Sequence, residues 1–417
     1  MAISHADAYD QRLARINAAI ALEKPDRVPI FLMLGLFPAR YAGITYQQAF
    51  YDLDNWLAAN EKTIEDFQPD LYFQPGAAVI TGGAVHDRLQ TRLLKLPGRD
   101  LGPDVPFQFV EGEYMSADEY DAFLDDPSDF ALRIYTPRIF GALEGLALLP
   151  PLKSMVMGYV GATMVGMLAL PPLAEALRAV TEAASESMRW TSGYMEFEAR
   201  MNEREFPAFS TAITLAPFDV ISDMLRGMRG AMLDMYRCPD KLVAAQEKLL
   251  PLLVETAVTQ ARMSGNPRVF IPMHRGADGF MSLEQFDRFY WPCFKDLVES
   301  LIAEGLVPCP FFEGTYDQRM HYLAKLPPGK IMGMFDRSDL FKAKEVIGEV
   351  MCIAGDMPLS LLQAGNAELV KEYARKLIDV VGRDGGFIMS SNTVLDEADP
   401  ELVKVWVEFT MEYGSYA

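Results

Sequence analysis

The feature that most constrains this chain is a repeated unit: a short apolar run rich in strand formers, a turn or polar residue, then an amphipathic stretch of helical length. Eight runs open such units. They are VPIFLML from Val28, LYFQPGA from Leu71, PAFSTAI from Pro207, RVFIPMH from Arg268, VPCPFF from Val307, KIMGMF from Lys330, VMCIAGD from Val350 and GGFIMSSN from Gly385. Strands alternating with helices specify a parallel sheet, and eight of them are the number that closes a (β/α)8 TIM barrel.

From the third run onward most gaps are long enough for a crossover helix. SLEQFDRFYWPCFKDLVESLIAEG opens on Ser282 as an N-cap and stops at Gly305, and NAELVKEYARKLIDVVGRDG stops near Gly385. The gap between the second and third runs, residues 78–206, is far too long for one connection. It holds a hairpin-like piece, LPGRDLGPDVPFQFVEGEYM, and helical segments such as PPLAEALRAVTEAASESMRWTSGYM. A compact domain rarely tolerates so long a structureless loop, so 78–206 reads as a largely helical insertion between strands two and three, capping a single barrel that spans 1–417.

Composition narrows the function classes. Half of the 417 residues are hydrophobic, enough for a large core, and 38 basic against 58 acidic residues leave a net charge of −20. Such a surface repels nucleic-acid phosphates and anionic lipid, and no Lys/Arg run forms a local exception. The apolar stretch around Leu143–Leu152 is broken by Pro150 and Pro151 and is too short to span a bilayer. Cys238, Cys293, Cys309 and Cys352 are widely spaced, with no C-x-x-C pair. Free thiols and an N-terminus without an apolar signal core fit a cytoplasmic protein. Glycine-rich nucleotide loops and a G-x-S-x-G elbow are missing from the strand–turn–helix positions where they would act.

In an eight-fold barrel the chemistry sits at the C-terminal ends of the strands. The polar residues there are Arg40 and Tyr41 after strand one, Gln74 on strand two, and His274, Arg275 and Asp278 after strand four. Glu313, Tyr316 and Asp317 follow strand five, Asp336 and Arg337 strand six, Asp356 strand seven and Asn392 strand eight. Residues two apart share a face, so Glu313 groups with Cys309 and Phe311, and Asp356 with Cys352 and Ala354. If those faces line the lumen, both carboxylates reach the mouth. Glu313, with an apolar approach and Gly314 behind it, suits a carboxyl of raised proton affinity; a pairing with Arg319 or Arg275 is its structural alternative. His274 suits a general base, a metal ligand or a hydrogen-bonded strand end. With Glu313 and Asp356 it offers ligand types for Zn2+ or another divalent ion, although no local metal motif accompanies them. Asp336 suits either catalysis or a cap.

The segments RLARINAAIALEKPDRVPIFLMLGLFPARY, ITLAPFDVISDMLRG, PMHRGADGFMSLEQFDRFYWPCFKDLVESL, IMGMFDRSDLFKAKEVIG, CIAGDMPLSLLQAGNAELVKEY and GGFIMSSNTVLDEADPELV resemble the uroporphyrinogen decarboxylase superfamily over nearly the whole chain. That resemblance implies a barrel, a homodimer, and one of two chemistries: decarboxylation of a tetrapyrrole, or methyl transfer involving corrinoid-bearing proteins, often with a zinc held by His-x-Cys and a distant Cys.

Both patterns are incomplete. The decarboxylase loop M-R-Q-A-G-R-Y is matched by GLFPARY, which keeps Arg40 and Tyr41 and puts Leu36 where the first arginine belongs. QPGAAV lacks the expected Asp, and the late His falls at or beside Asn392. The zinc pattern becomes Phe311, Phe312, Glu313, Gly314, with the distant Cys near Thr393. What the resemblance then implies is methyl transfer from a small methylated, for instance methoxylated aromatic, compound to a corrinoid on a partner protein, since the chain lacks the D-x-H-x-x-G signature of a cobalamin domain. Glu313 would be acid or metal ligand, His274 and Asp356 would position substrate or metal, and Arg40, Tyr41, Asp278, Tyr316, Asp336 and Asn392 would line the pocket. The alternatives are a decarboxylase or lyase of a small carboxylate, and a non-catalytic binding protein.

Overall fold

The computed structural model describes residues 5–416. Each of the eight apolar runs contains a strand: β1 Phe31–Leu32, β2 Leu71–Tyr72, β3 Ala212–Ile213, β4 Arg268–Met273, β5 Val307–Phe312, β6 Met332–Phe335, β7 Cys352–Met357 and β8 Phe387–Ser391. All of their pairings are parallel. β3 to β8 form one continuous ladder and β1 pairs with β2. Isolated bridges join the two pieces: Ile30 with Met389 and Leu34 with Leu395 on one side, Tyr72 with Ala208 on the other. The order around the ring is therefore that of a (β/α)8 barrel, with its thinnest seam between β2 and β3.

Nearly every strand residue is buried, because one face meets the lumen and the other the helices. Ring contacts separate the faces. Phe312 packs on Phe294 of an outer helix, with centroids 6.5 Å apart, and stacks on Phe335 at 4.8 Å. Cys309, Phe311 and Glu313, of opposite parity, therefore turn inward. The β4–β5 register pairs Phe270 with Cys309 and Pro272 with Phe311, which carries the inward parity across to His274.

Between β2 and β3 the chain forms the antiparallel pair Leu94–Lys95 with Gln108–Phe109, then helical pieces, then the long helix α1, Pro171–Glu203. Two prolines open α1, where their missing N–H groups are not needed. Its Trp190 is buried against Gly82, where an added Cβ would stand 2.1 Å from the indole, so only glycine admits the ring. The insertion is pinned to the barrel by Asp234, which accepts from Tyr120 Oη at 2.9 Å and Arg226 Nε at 2.5 Å. Arg226 also donates to the carbonyl of Met115. At the opposite end of the barrel, Asp70 accepts from Arg27 at 2.7 and 2.8 Å, from Arg15 at 3.1 Å and from the Ile30 amide at 2.8 Å. No helix among the described residues is long and apolar enough to cross a membrane.

Candidate active site

The mouth is organised by two aspartates on one helical turn. After β3 the segment Pro217–Leu225 is helical, and Asp219 and Asp223, four residues apart, project from one face. Asp219 is fully buried. It accepts from the backbone amides of His274 at 3.1 Å and Arg275 at 3.0 Å, and from Tyr290 Oη at 2.7 Å, fixing the end of β4. Burial, with the field of Asp223 second, pushes its carboxyl up to about 6. Asp223 meets His274 Nδ1 at 2.5 Å and accepts from Arg275 Nε at 3.0 Å.

His274 is thereby oriented with Nε2 directed at Glu313, whose Oε1 lies 3.6 Å away. Burial opposes protonation of the imidazole. The hydrogen bond to Asp223 and the fields of Glu313 and Asp219 outweigh it and raise the ring to about 9. Burial raises Glu313, against the pull of His274, and Asp336 and Asp223 add to the rise. The arginines offered as partners for Glu313 are engaged elsewhere. Arg275 pairs with Asp223 at 3.0 Å and Glu111 at 3.7 Å, and Arg319 pairs with Asp278.

Asp336 interlocks the next loops. Its Oδ2 accepts from the Gly314 amide at 3.0 Å and its Oδ1 from Asn392 Nδ2 at 3.2 Å, while Asn392 Oδ1 accepts from the Leu359 amide at 2.8 Å. Asp356, 9% exposed, accepts from Tyr373 Oη at 2.9 Å. Burial, only partly offset by that hydrogen bond, lifts its carboxyl to about 7. Glu313, Asp336 and Asp356 thus stand on consecutive strand ends, close enough for Asp336 to act on the other two.

Three expected pocket residues, Asp278, Tyr41 and Arg40, lie outside this cluster, and Tyr316 borders it. Asp278 is spent on Arg319 and on the Gln318 amide, a loop tie. Tyr316 is wholly buried beside Phe312, and its hydroxyl stands next to Tyr290, within the fields of Asp219 and Glu313. Tyr41 donates to Asp66 at 2.7 Å and stacks on Phe37, facing the helix layer. Arg40 is half-exposed and pairs with Glu397 at 3.5 Å. Leu36, where the decarboxylase pattern has an arginine, is buried, and its amide donates to Asp396 at 2.7 Å.

His274 and Glu313 do not fit the expected metal site. No group of three His, Cys, Asp or Glu side chains placed for a metal occurs among the described residues, and Nδ1 of His274 is already engaged by Asp223. Cys309 lies deeper on the β5 face, its thiol pushed up by burial to about 12.

The profile of the uroporphyrinogen decarboxylase (URO-D) family matches residues 199–413. The chain belongs to this family. The uroporphyrinogen decarboxylase of Trichlorobacter lovleyi is 24% identical over 174 residues, 42% of this chain and 50% of that enzyme. That of Geotalea daltonii is 25% identical over 167 residues, 40% and 48% of the two chains. The chain spans about half the length of the curated relatives it matches. A methyltransferase from Methanosarcina mazei has the same fold, with a TM-score of 0.59 at 14% identity, covering 96% of this chain and 98% of that one. The URO-D match contains Asp219, His274, Glu313, Asp336 and Asp356; Arg40, Tyr41 and most of the insertion precede it.

Sequence reasoning missed Asp219, Asp223 and Tyr373. The first two carried a signal, an i, i+4 acid pair directly after a barrel strand, which also describes an ordinary solvated helix face.

Proposed function

We propose that the protein is a URO-D superfamily enzyme that moves a methyl group from a small, uncharged methylated compound, such as a methoxylated aromatic, to an acceptor outside this chain. The observation that carries the proposal is Glu313, an acid of raised proton affinity at the mouth, 3.6 Å from a histidine held by Asp223. An ether oxygen is a poor leaving group until it is protonated, and a positioned acid whose proton affinity burial has raised supplies that step. The C–O bond breaks, the methyl group passes to the acceptor, and the oxygen leaves as a hydroxyl carrying the proton of Glu313. His274, bonded through Nδ1 to Asp223, holds the Glu313 side chain by charge and orientation. The acceptor in this reading is a reduced corrinoid borne by a partner protein, which supplies a cobalt nucleophile.

The URO-D name suggests decarboxylation instead, but the mouth argues against a polycarboxylate substrate. It gathers Asp219, Asp223, Glu313, Asp336 and Asp356, while Arg275 and Arg40 are each paired with protein carboxylates. The guanidinium groups that would receive an anionic substrate are thus already matched.

The test is to incubate the full chain with a panel of methoxylated aromatics and a reduced free corrinoid, and to follow cobalt methylation spectrally. Glu313→Gln is expected to slow methylation about 10²–10⁴-fold with an unchanged melting temperature. A folded wild-type protein that methylates no corrinoid across the panel overturns the reading. Carbon dioxide release from a small carboxylate would replace it with decarboxylation.

A further inference from the structure

The thin seam between β2 and β3 opens into a second cavity. Beyond the Tyr72–Ala208 bridge, where the Phe209 amide donates to the Tyr72 carbonyl at 2.9 Å, the two strands are no longer paired, and a cavity of about 330 Å³ lies between them and α1. That volume is at the lower end for small-molecule sites. Its walls are aromatic: Tyr72 and Phe73 from the end of β2, Phe270 from β4, and Tyr194 and Phe197 from α1. Its rim is apolar and open to solvent, with Ile80 79%, Met195 68% and Ile213 49% exposed.

Set into these walls are three buried polar atoms, Tyr72 Oη, Gln74 Oε1 and Thr211 Oγ1, with no hydrogen-bond partner among the described residues. Leaving a buried polar group unpaired costs roughly 1–3 kcal/mol, so three lining one cavity call for an explanation. Glu198 completes the polar set. Burial raises its carboxyl, against the field of Arg268, whose guanidinium is itself taken up by the carbonyls of Ala208 and Phe209. The described lining contains no Lys or Arg to receive an anion.

We infer that this cavity is a binding site for a small, uncharged, hydroxylated aromatic ring, held by stacking between the aromatic walls and by a hydroxyl that donates to Gln74 Oε1. The Tyr72 and Thr211 hydroxyls can each give or accept a further hydrogen bond. None of Asp219, Asp223, His274, Glu313, Asp336 and Asp356 lines the cavity. Phe270 shares the inward face of β4 with His274 but stands four residues earlier, about 13 Å along the strand, beyond the reach of a single ring touching both. The inference therefore stands whether or not the barrel transfers methyl groups.

Calorimetric titration of the full chain with phenol, toluene and benzoate tests it. Phenol is expected to bind at least about tenfold more tightly than benzoate, and Gln74→Leu to weaken phenol about tenfold while leaving toluene unchanged. Ile213→Trp, a rim change at an exposed position, is expected to weaken both neutral probes. If Gln74→Leu does not fold, Thr211→Val reads the same polar wall. Benzoate binding as tightly as phenol, no heat with any probe, or a loss of phenol affinity in Glu313→Gln equal to that in Gln74→Leu would each overturn the assignment.

Discussion

Asp70 and Asp356 are both buried carboxylates, and they are treated in opposite ways. Asp70, beneath β1 and β2, receives guanidinium hydrogens from Arg15 and Arg27 and the Ile30 amide. Asp234, which ties the insertion to the barrel, is likewise matched by Arg226. Asp356 and Asp219 receive only neutral donors, a tyrosine hydroxyl in the first case and two amides and a tyrosine hydroxyl in the second. Glu313 has one histidine at 3.6 Å. Guanidinium thus stands beside Asp70 and Asp234, which hold the fold, and at the mouth beside Asp223 and Asp336, at 3.0 and 3.5 Å, but beside none of Asp219, Glu313 and Asp356. Burial without a cation keeps a carboxyl protonated toward neutral pH, which is the state a proton donor needs.

The largest effect expected from this contrast is at Asp70. Replacing it by Ala leaves two guanidinium groups and an amide facing a buried gap, and breaking a buried pair from one side costs about 3–5 kcal/mol. Urea denaturation of Asp70→Ala should show a loss of that size. A loss under 1 kcal/mol would mean that the arginines find other partners and that the contrast with the mouth is not one of stability.

Asp356 should behave in the opposite sense. Its folded value of about 7 lies above the ordinary carboxylate range, so the folded state binds more protons than the unfolded state between about pH 4 and pH 7. The stability it contributes is complete below that window and falls as pH rises through it, by an amount on the order of 2–4 kcal/mol. Asp356→Asn keeps an acceptor for Tyr373 and cannot ionise. Melting temperatures of the two proteins should diverge from pH 4 to 7, with the variant the more stable above pH 7. Parallel curves would mean that burial does not hold the proton on Asp356.

The barrel was legible in the sequence because eight apolar runs separated by helical gaps leave few other arrangements, and each run holds its strand. The inward faces were not. Parallel strands covered on both sides carry no alternation, so Phe311 and Phe312 look equivalent until Phe294 is found against one of them. Asp278 and Asp336 look alike too, each a strand-end acid in a polar loop. They differ because Arg319, 41 residues downstream, reaches Asp278 from the far side of β5. His274 and Glu313 were found because a strand-end polar residue after an apolar run has few structural uses. Asp219 and Asp223 were not singled out, since the turn that aims them at β4 depends on packing against Tyr290.

Arg40 gives the smallest effect and the sharpest boundary to the contrast. It is the one arginine kept from the decarboxylase loop. In the structure its side chain is 51% exposed and meets Glu397, itself 54% exposed, at 3.5 Å. Exposed pairs of this kind contribute about 0–1 kcal/mol, because solvent screens the attraction and two long side chains lose freedom. Arg40→Ala should therefore change stability by less than about 0.5 kcal/mol. In a mouth that takes an uncharged substrate, KM should rise less than about threefold, since no substrate charge is left unmatched; loss of a charge-assisted hydrogen bond to a carboxylate would raise it more than tenfold. A tenfold rise would make Arg40 an anion holder after all and move the substrate class from neutral to carboxylate, while leaving the Asp70 and Asp356 predictions untouched, because neither depends on what enters the barrel.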